Sequence, residues 1–303
     1  MPDKLLELKN DLVFQKIFGM PKNSEVTAHF LSLILKREIR NIDLDANKRM
    51  LEGPFDSKTA RLDIRAKFNN GEDCDIELQV LPYKYMSARM LEYWSGMYSS
   101  KIRSGQGYDV LKPSISILIT NYKLEELKDI PKYHTVWNLR EEDFSEKVIS
   151  KNIELHVLEI PKIRNEEMLK DELSQWLKFI ENPENKEVEK VMSENKYFQQ
   201  AREELAHLSG DPDFQRFVEA RAGMLRDIHC YKKQAAEEGR KEGREEGRAE
   251  GRAEGRIEGK EEGLKEGKME GKMEIAKKMK QKNIPIEQIV EITELTKEEI
   301  EKL

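Results

Sequence analysis

The sequence predicts an α/β domain over residues 1–165, followed by an all-helical C-terminal extension. Three observations carry this. Residues 61–80 (RLDIRAKFNNGEDCDIELQV) alternate apolar and polar side chains on both sides of a turn, the period of paired β-strands. Residues 114–120 (SISILIT) are a near-continuous apolar run and residues 154–160 (ELHVLEI) alternate again, as a sheet with a buried centre requires. From Glu166 onward strand signals stop, and apolar residues recur at helical spacing.

Taken in order, residues 10–19 predict a helix with Asn10 or Asp11 at its start and Gly19 at its end. Leu12, Val13, Ile17 and Phe18 form its apolar side. A second helix over 24–36 buries Val26, Phe30, Leu31, Ile34 and Leu35, and its His29 fits packing or solvation better than ligation. Residues 38–52 hold a strand and its exit, and the hairpin of 61–80 follows. A helix over 83–103 is rich in Met, Tyr and Trp; its Arg89 and Tyr93 stand four apart and so share a face. Lys112-Pro113 leads into the central strand, and Pro161 stops the strand of 154–160. His134 and His156 read as isolated, with no Ser or Cys at the spacing of a nucleophilic triad.

The hairpin register decides what its polar face can do. A two-residue turn at Asn70-Gly71 would set Asp63 against Leu78 and send the two apolar rows to opposite faces, which a one-sided core cannot accept. A three-residue loop, with Gly71 left-handed, sets Asp63 opposite Glu77; a five-residue loop sets it opposite Gln79. Either register gathers Asp63, Glu77 and Gln79 on one face. Carboxylates that close repel unless a cation lies between them, and a hard ion such as Mg²⁺ takes such oxygens. That arrangement suits phosphodiester hydrolysis. The same alternation also fits a solvated sheet face of mixed charge.

Asp63 followed by Glu77-Leu78-Gln79 on the next strand resembles the PD-(D/E)XK nuclease motif, with Gln79 where Lys is usual. Flanking segments resemble its Rpn branch of recombination-promoting nucleases and transposases. They are Asp11-Leu-Val-Phe14-Gln-Lys-Ile-Phe18, with Gln15 for the usual Lys, then Arg89-Met-Leu-Glu-Tyr93, and Tyr108-Asp-Val-Leu111-Lys112-Pro113. The resemblance implies a PD-(D/E)XK nuclease-like mixed sheet flanked by helices, and a Mg²⁺- or Mn²⁺-dependent DNA endonuclease linked to recombination or mobile-element activity. Asp63, Glu77 and the Leu78 carbonyl would ligate the metal, and Gln79 would orient the attacking water. Asp11 would lean toward the site or cap its helix. Arg89, sharing a face with Tyr93, would hold a phosphate or orient Glu77. A Gln lacks the charge a Lys supplies, and Lys67 on the same face would compensate. The alternative is a catalytically weak nuclease fold acting as a self-associating scaffold.

The remaining chain divides into a helical extension (166–236), a glycine repeat (237–274) and a small helical module (275–303). In the repeat, glycine recurs at 239, 243, 247, 251, 255, 259, 263, 267 and 271, each preceded by Glu and followed by Arg, Lys or, once, Leu264. On a helix the glycines lie between an acidic and a basic stripe, so two such helices could approach closely in parallel and pair their flanks as a homo-oligomer. A solvated low-complexity linker is the other reading. A spacing of four drifts against 3.6 residues per turn, so contact must be local or wind right-handedly. Thr296 to Glu299 has the pattern of a capping box, and the acidic surface around it suits docking better than DNA contact. With 37% charged residues, part of the chain is expected outside a core. The net charge of −6 demands a local basic lining wherever DNA binds. Two cysteines, no leader-like apolar run and no membrane-length segment predict a cytoplasmic protein with no membrane partner.

Overall fold

The computed structural model describes residues 4–45, 64–163 and 171–303. At its centre is a six-stranded mixed sheet ordered β1-β2-β3-β4-β6-β5. The strands are β1 (Ile42–Asp45), β2 (Ile64–Phe68), β3 (Asp73–Gln79), β4 (Ser114–Thr120), β5 (His134–Arg140) and β6 (Val148–Glu159). β3, β4 and β6 run parallel, and the flanking pairs are antiparallel. β4 is buried along its whole length, as its unbroken apolar run requires.

The β2–β3 turn is the three-residue loop. Ile64 pairs with Ile76 and Lys67 with Asp73. Phe68 N–H donates to Glu72 O at 2.9 Å, and Asn70 Oδ1 accepts from Glu72 N–H at 3.0 Å. Gly71 takes φ +85°, where any side chain is strained.

On one face of the sheet lie α1 (Asp11–Phe18), α2 (Ser24–Leu35), α4 (Glu172–Glu181), α5 (Lys186–Met192) and α6 (Lys196–Ser209). Phe14, Phe18, Phe30 and Trp176 pack there against Ile64, Cys74, Ile76, Ile115 and Ile117. Asn10 caps α1 by accepting from Leu12 and Val13 N–H, and α2 ends at left-handed Lys36. Leu173, Trp176, Phe198 and Leu205 belong to this same cluster, so residue 165 does not separate two cores. On the other face α3 (Met86–Ser99) covers Leu118 and Val157 with Met86 and Met90. α3 is shorter than the expected 83–103: a bend at Leu81 and a turn at Lys84-Tyr85 precede it, and it ends at Ser99.

Two strand readings need correction. β5 was not expected; as an edge strand it leaves Val136, Trp137 and Leu139 exposed, which removes the alternation that marks a strand. β6 begins at Val148 rather than 154, because its first half pairs only with β5 through a bulge. That pairing also removes the isolation expected of the histidines. His134 Nε2 lies 2.8 Å from His156 Nδ1, and His156 Nε2 lies 2.8 Å from Glu154 Oε1. Burial, then His156 and Lys36, push the His134 pKa down to about 4, while the bond from His156 lowers that of Glu154. His29 is a packed residue: it stacks on Tyr197 at 4.3 Å and bonds Glu172 at 2.6 Å.

Residues 1–223 form one compact unit and 224–303 another. α7 (Pro212–Gln281) is a continuous 70-residue helix, with α8 (Ile286–Thr293) and α9 (Lys297–Glu301) after it. In the second unit Ala276, Ile289, Leu295 and Ile300 make a small core. Thr296 and Glu299 form the capping box read from the sequence. No helix among the described residues is long and apolar enough to cross a membrane.

Candidate active site

The pairing register sends Asp73, Asp75, Glu77 and Gln79 to the α3 side of β3, because Cys74 and Ile76 face the large core. This polar face is not solvated: Asp75 is 4% exposed and Glu77 7%. Each acid of the row has a cation across from it. Glu77 Oε1 lies 2.6 Å from Arg89 Nη2, Asp73 pairs with Lys101 at 3.2 Å, and Arg65 stands opposite Asp75 in the β2–β3 register.

α3 is fixed tightly enough to aim Arg89. Trp94 Nε1 donates to Ser114 O at 2.8 Å and stacks on Tyr98, whose hydroxyl accepts from Asn152 Nδ2 at 2.8 Å. One turn along, Arg89 Nε donates to Tyr93 Oη at 2.6 Å, with the guanidinium over the rings of Tyr83 (5.8 Å) and Tyr93 (5.1 Å). The Arg89–Tyr93 face read from the spacing of four is therefore the face turned to Glu77.

The other expected site residues fall as follows. Asp63 lies outside the described residues. Gln79 Nε2 donates one hydrogen to Leu81 O at 3.0 Å, which leaves its amide oxygen and its second N–H for other partners. Leu78 stands in the β3–β4 ladder opposite Ile119, with its side chain against the large core. Lys67 is exposed and paired with Asp73. Its partner Asp73 lies six residues along β3 from Gln79. Asp11 Oδ2 is held by Arg221 Nη2 at 2.9 Å, and its Oδ1 accepts from Leu12 N–H. α1 packs on the face of the sheet opposite α3, so Asp11 is not brought to Glu77.

Two residues of this face escaped the sequence reading. Asp75 was readable only as one more polar position, although the spacing Asp73, Asp75, Glu77 already put three acids in a row. Tyr122, beyond the end of β4, is half-buried; burial raises its phenol pKa and the Glu77 charge adds to the shift. Nothing in the sequence marked it. Cys74 is silenced by burial, which pushes its thiol pKa well up, so it offers no nucleophile.

The donors on this face are carboxylates, the oxygen ligands a hard divalent ion takes, so they fit the implied metal. Among the described residues no group of three His, Cys, Asp or Glu could hold a metal ion by itself. No curated protein and no solved structure matches the chain. The family model described as PD-(D/E)XK nuclease family transposase matches residues 8–235, which takes in the sheet, α3 and the helices expected as a separate extension. The chain belongs to the PD-(D/E)XK nuclease family transposases.

Proposed function

We propose that the protein is a metal-dependent DNA endonuclease that hydrolyses phosphodiester bonds in DNA recombination or mobile-element activity. The observation that carries it is Glu77, a buried glutamate neutralised by an arginine on the covering helix, in a chain of this family. The three-residue loop, the register in which the sequence sets Asp63 opposite Glu77, is the one that joins β2 and β3. Asp63, Glu77 and the Leu78 carbonyl would hold Mg²⁺ or Mn²⁺, which would supply activation of water and charge stabilisation at phosphorus. Gln79 accepts a hydrogen from the attacking water and orients it. Arg89 positions Glu77 and supplies the nearest positive charge for a scissile phosphate. Exposed Arg65, Lys67 and Lys84 give the local basic lining that the net charge of −6 made necessary. With one of two cysteines buried reduced in the core, the cytoplasm suits the protein.

The test is incubation of the full chain with supercoiled plasmid in Mg²⁺, Mn²⁺ or EDTA, beside Asp63→Ala. Nicking is expected only with metal and only with Asp63 present; nicking that survives EDTA or the substitution refutes the assigned site. A second reading, a weak or inactive nuclease fold serving as a scaffold, is favoured by Gln79 in the lysine position, its amide tied to Leu81. Absence of nicking under every metal condition selects it.

The glycine repeat lies within α7. A β-carbon at any of the nine glycines from Gly239 to Gly271 would meet nothing within 4 Å. Glycine costs about 1 kcal/mol per position against alanine in a helix, so a stripe with no use inside the chain points to a second copy. Deletion of residues 237–274 is expected to lower the mass measured by light scattering to that of a monomer. An unchanged mass removes the pairing.

A further inference from the structure

Between β3 and α3 the chain runs Leu81-Pro82-Tyr83-Lys84-Tyr85, and its large side chains stay in solvent. Tyr83 is 46% exposed and Tyr85 59%. The two rings stand nearly perpendicular, at 76° with centroids 6.2 Å apart. Lys84 Nζ lies 5.3 Å from the Tyr85 centroid, and Arg89 covers Tyr83 at 5.8 Å. That same Arg89 bonds Glu77 at 2.6 Å. One side chain therefore joins the exposed aromatic pair to the candidate metal carboxylate.

Rings held in water beside cations are a poor use of apolar surface unless a planar partner covers them. A base inside a duplex has both faces stacked already. An unpaired base has a free face, and stacking on an aromatic side chain is indifferent to which base it is. Lys84 and Arg89 supply charge for the phosphates that accompany such bases. We infer that Tyr83 and Tyr85 form a stacking platform for unpaired bases next to the scissile phosphate. The preferred substrate is then DNA with a single-stranded stretch: a flap, a gap or an overhang. The substrate class rests on the nuclease reading; the stacking itself does not.

The experiment is fluorescence anisotropy of the full chain, without divalent metal, against a labelled 20-nucleotide oligothymidine and a 20-base-pair duplex. The single strand is expected to bind roughly ten-fold or more tightly than the duplex, and Tyr85→Ala to weaken it by a similar factor. Tyr85→Phe and Tyr85→Trp keep a ring and should keep the affinity. Because Tyr85 lies in solvent, its replacement leaves the core intact, and Tyr83→Ala provides a second, independent variant. Equal affinity for the two DNAs, no binding of the single strand, or no effect of either alanine variant overturns the inference. The two readings fail separately. A chain that nicks plasmid yet shows no preference for unpaired DNA loses only the platform. One that binds the single strand through Tyr85 yet never cleaves loses only the nuclease.

Discussion

Arg89→Ala will lower the thermal stability of the metal-free chain, and Mg²⁺ will restore more of it than it adds to the unaltered protein. Glu77 is 7% exposed, and its charge is met by Arg89 at 2.6 Å. Removing the arginine takes this cation from a carboxylate that has already lost most of its water. For fully buried pairs that costs about 3–5 kcal/mol; the Arg89 side chain is 29% exposed, so about 1–3 kcal/mol is expected. A divalent ion binding only the folded state adds stability by mass action, and it binds more readily where no guanidinium competes for the carboxylate. Glu77→Gln removes the charge that calls for either cation. In the Arg89→Ala/Glu77→Gln double variant the metal-free loss should therefore shrink and the Mg²⁺ response vanish. On plasmid, Glu77→Gln is expected to cut nicking by roughly 100-fold or more, and Arg89→Ala by roughly 10- to 100-fold. Melting followed by circular dichroism with and without Mg²⁺ decides it. An unshifted Arg89→Ala curve, or a Mg²⁺ response that survives Glu77→Gln, refutes the pairing logic.

What could be read in advance depended on whether the signal was local. The hairpin was legible because a β-strand alternates faces at every residue, so one turn geometry fixed where Asp75 and Glu77 point. The Arg89–Tyr93 face was legible from a spacing of four, since a helix places those side chains together before any tertiary contact forms. The partner of that face was not, because the return of α3 over β3 is set by Trp94 and Tyr98 anchoring to other strands. β5 and the His134–His156 contact escaped for the same reason. An edge strand exposes both faces, and two histidines far apart in sequence meet only through a register that the sequence does not print. Loss of strand signal near residue 165 marks a change of secondary structure, while Trp176 and Phe198 share their core with residues that precede it.

The second large effect is on stability and comes from a pair no motif announces. Glu159, 0% exposed at the end of β6, forms an ion pair with Lys162, which is 6% exposed. Leu124 N–H donates to Glu159 Oε1 at 2.9 Å, and Lys162 Nζ donates to Leu127 O at 2.7 Å. The two charges thus tie the turn after β4 to the sheet, and Leu124 and Leu127 from that turn pack with Met86 under α3. Lys162→Met leaves Glu159 charged and without its cation in the interior, at a cost of about 3–5 kcal/mol. Lys162→Met combined with Glu159→Gln removes both charges and keeps an acceptor for the Leu124 N–H, so most of that loss should return. Urea denaturation of the three proteins measures it. A single variant within about 1 kcal/mol of the parent, or a double variant no better than the single, would show that the charges are not what holds the turn. Because the turn supports Met86 at the start of α3, the same single variant should loosen the helix that carries Arg89. Nicking should then fall below the level that the remaining folded fraction explains.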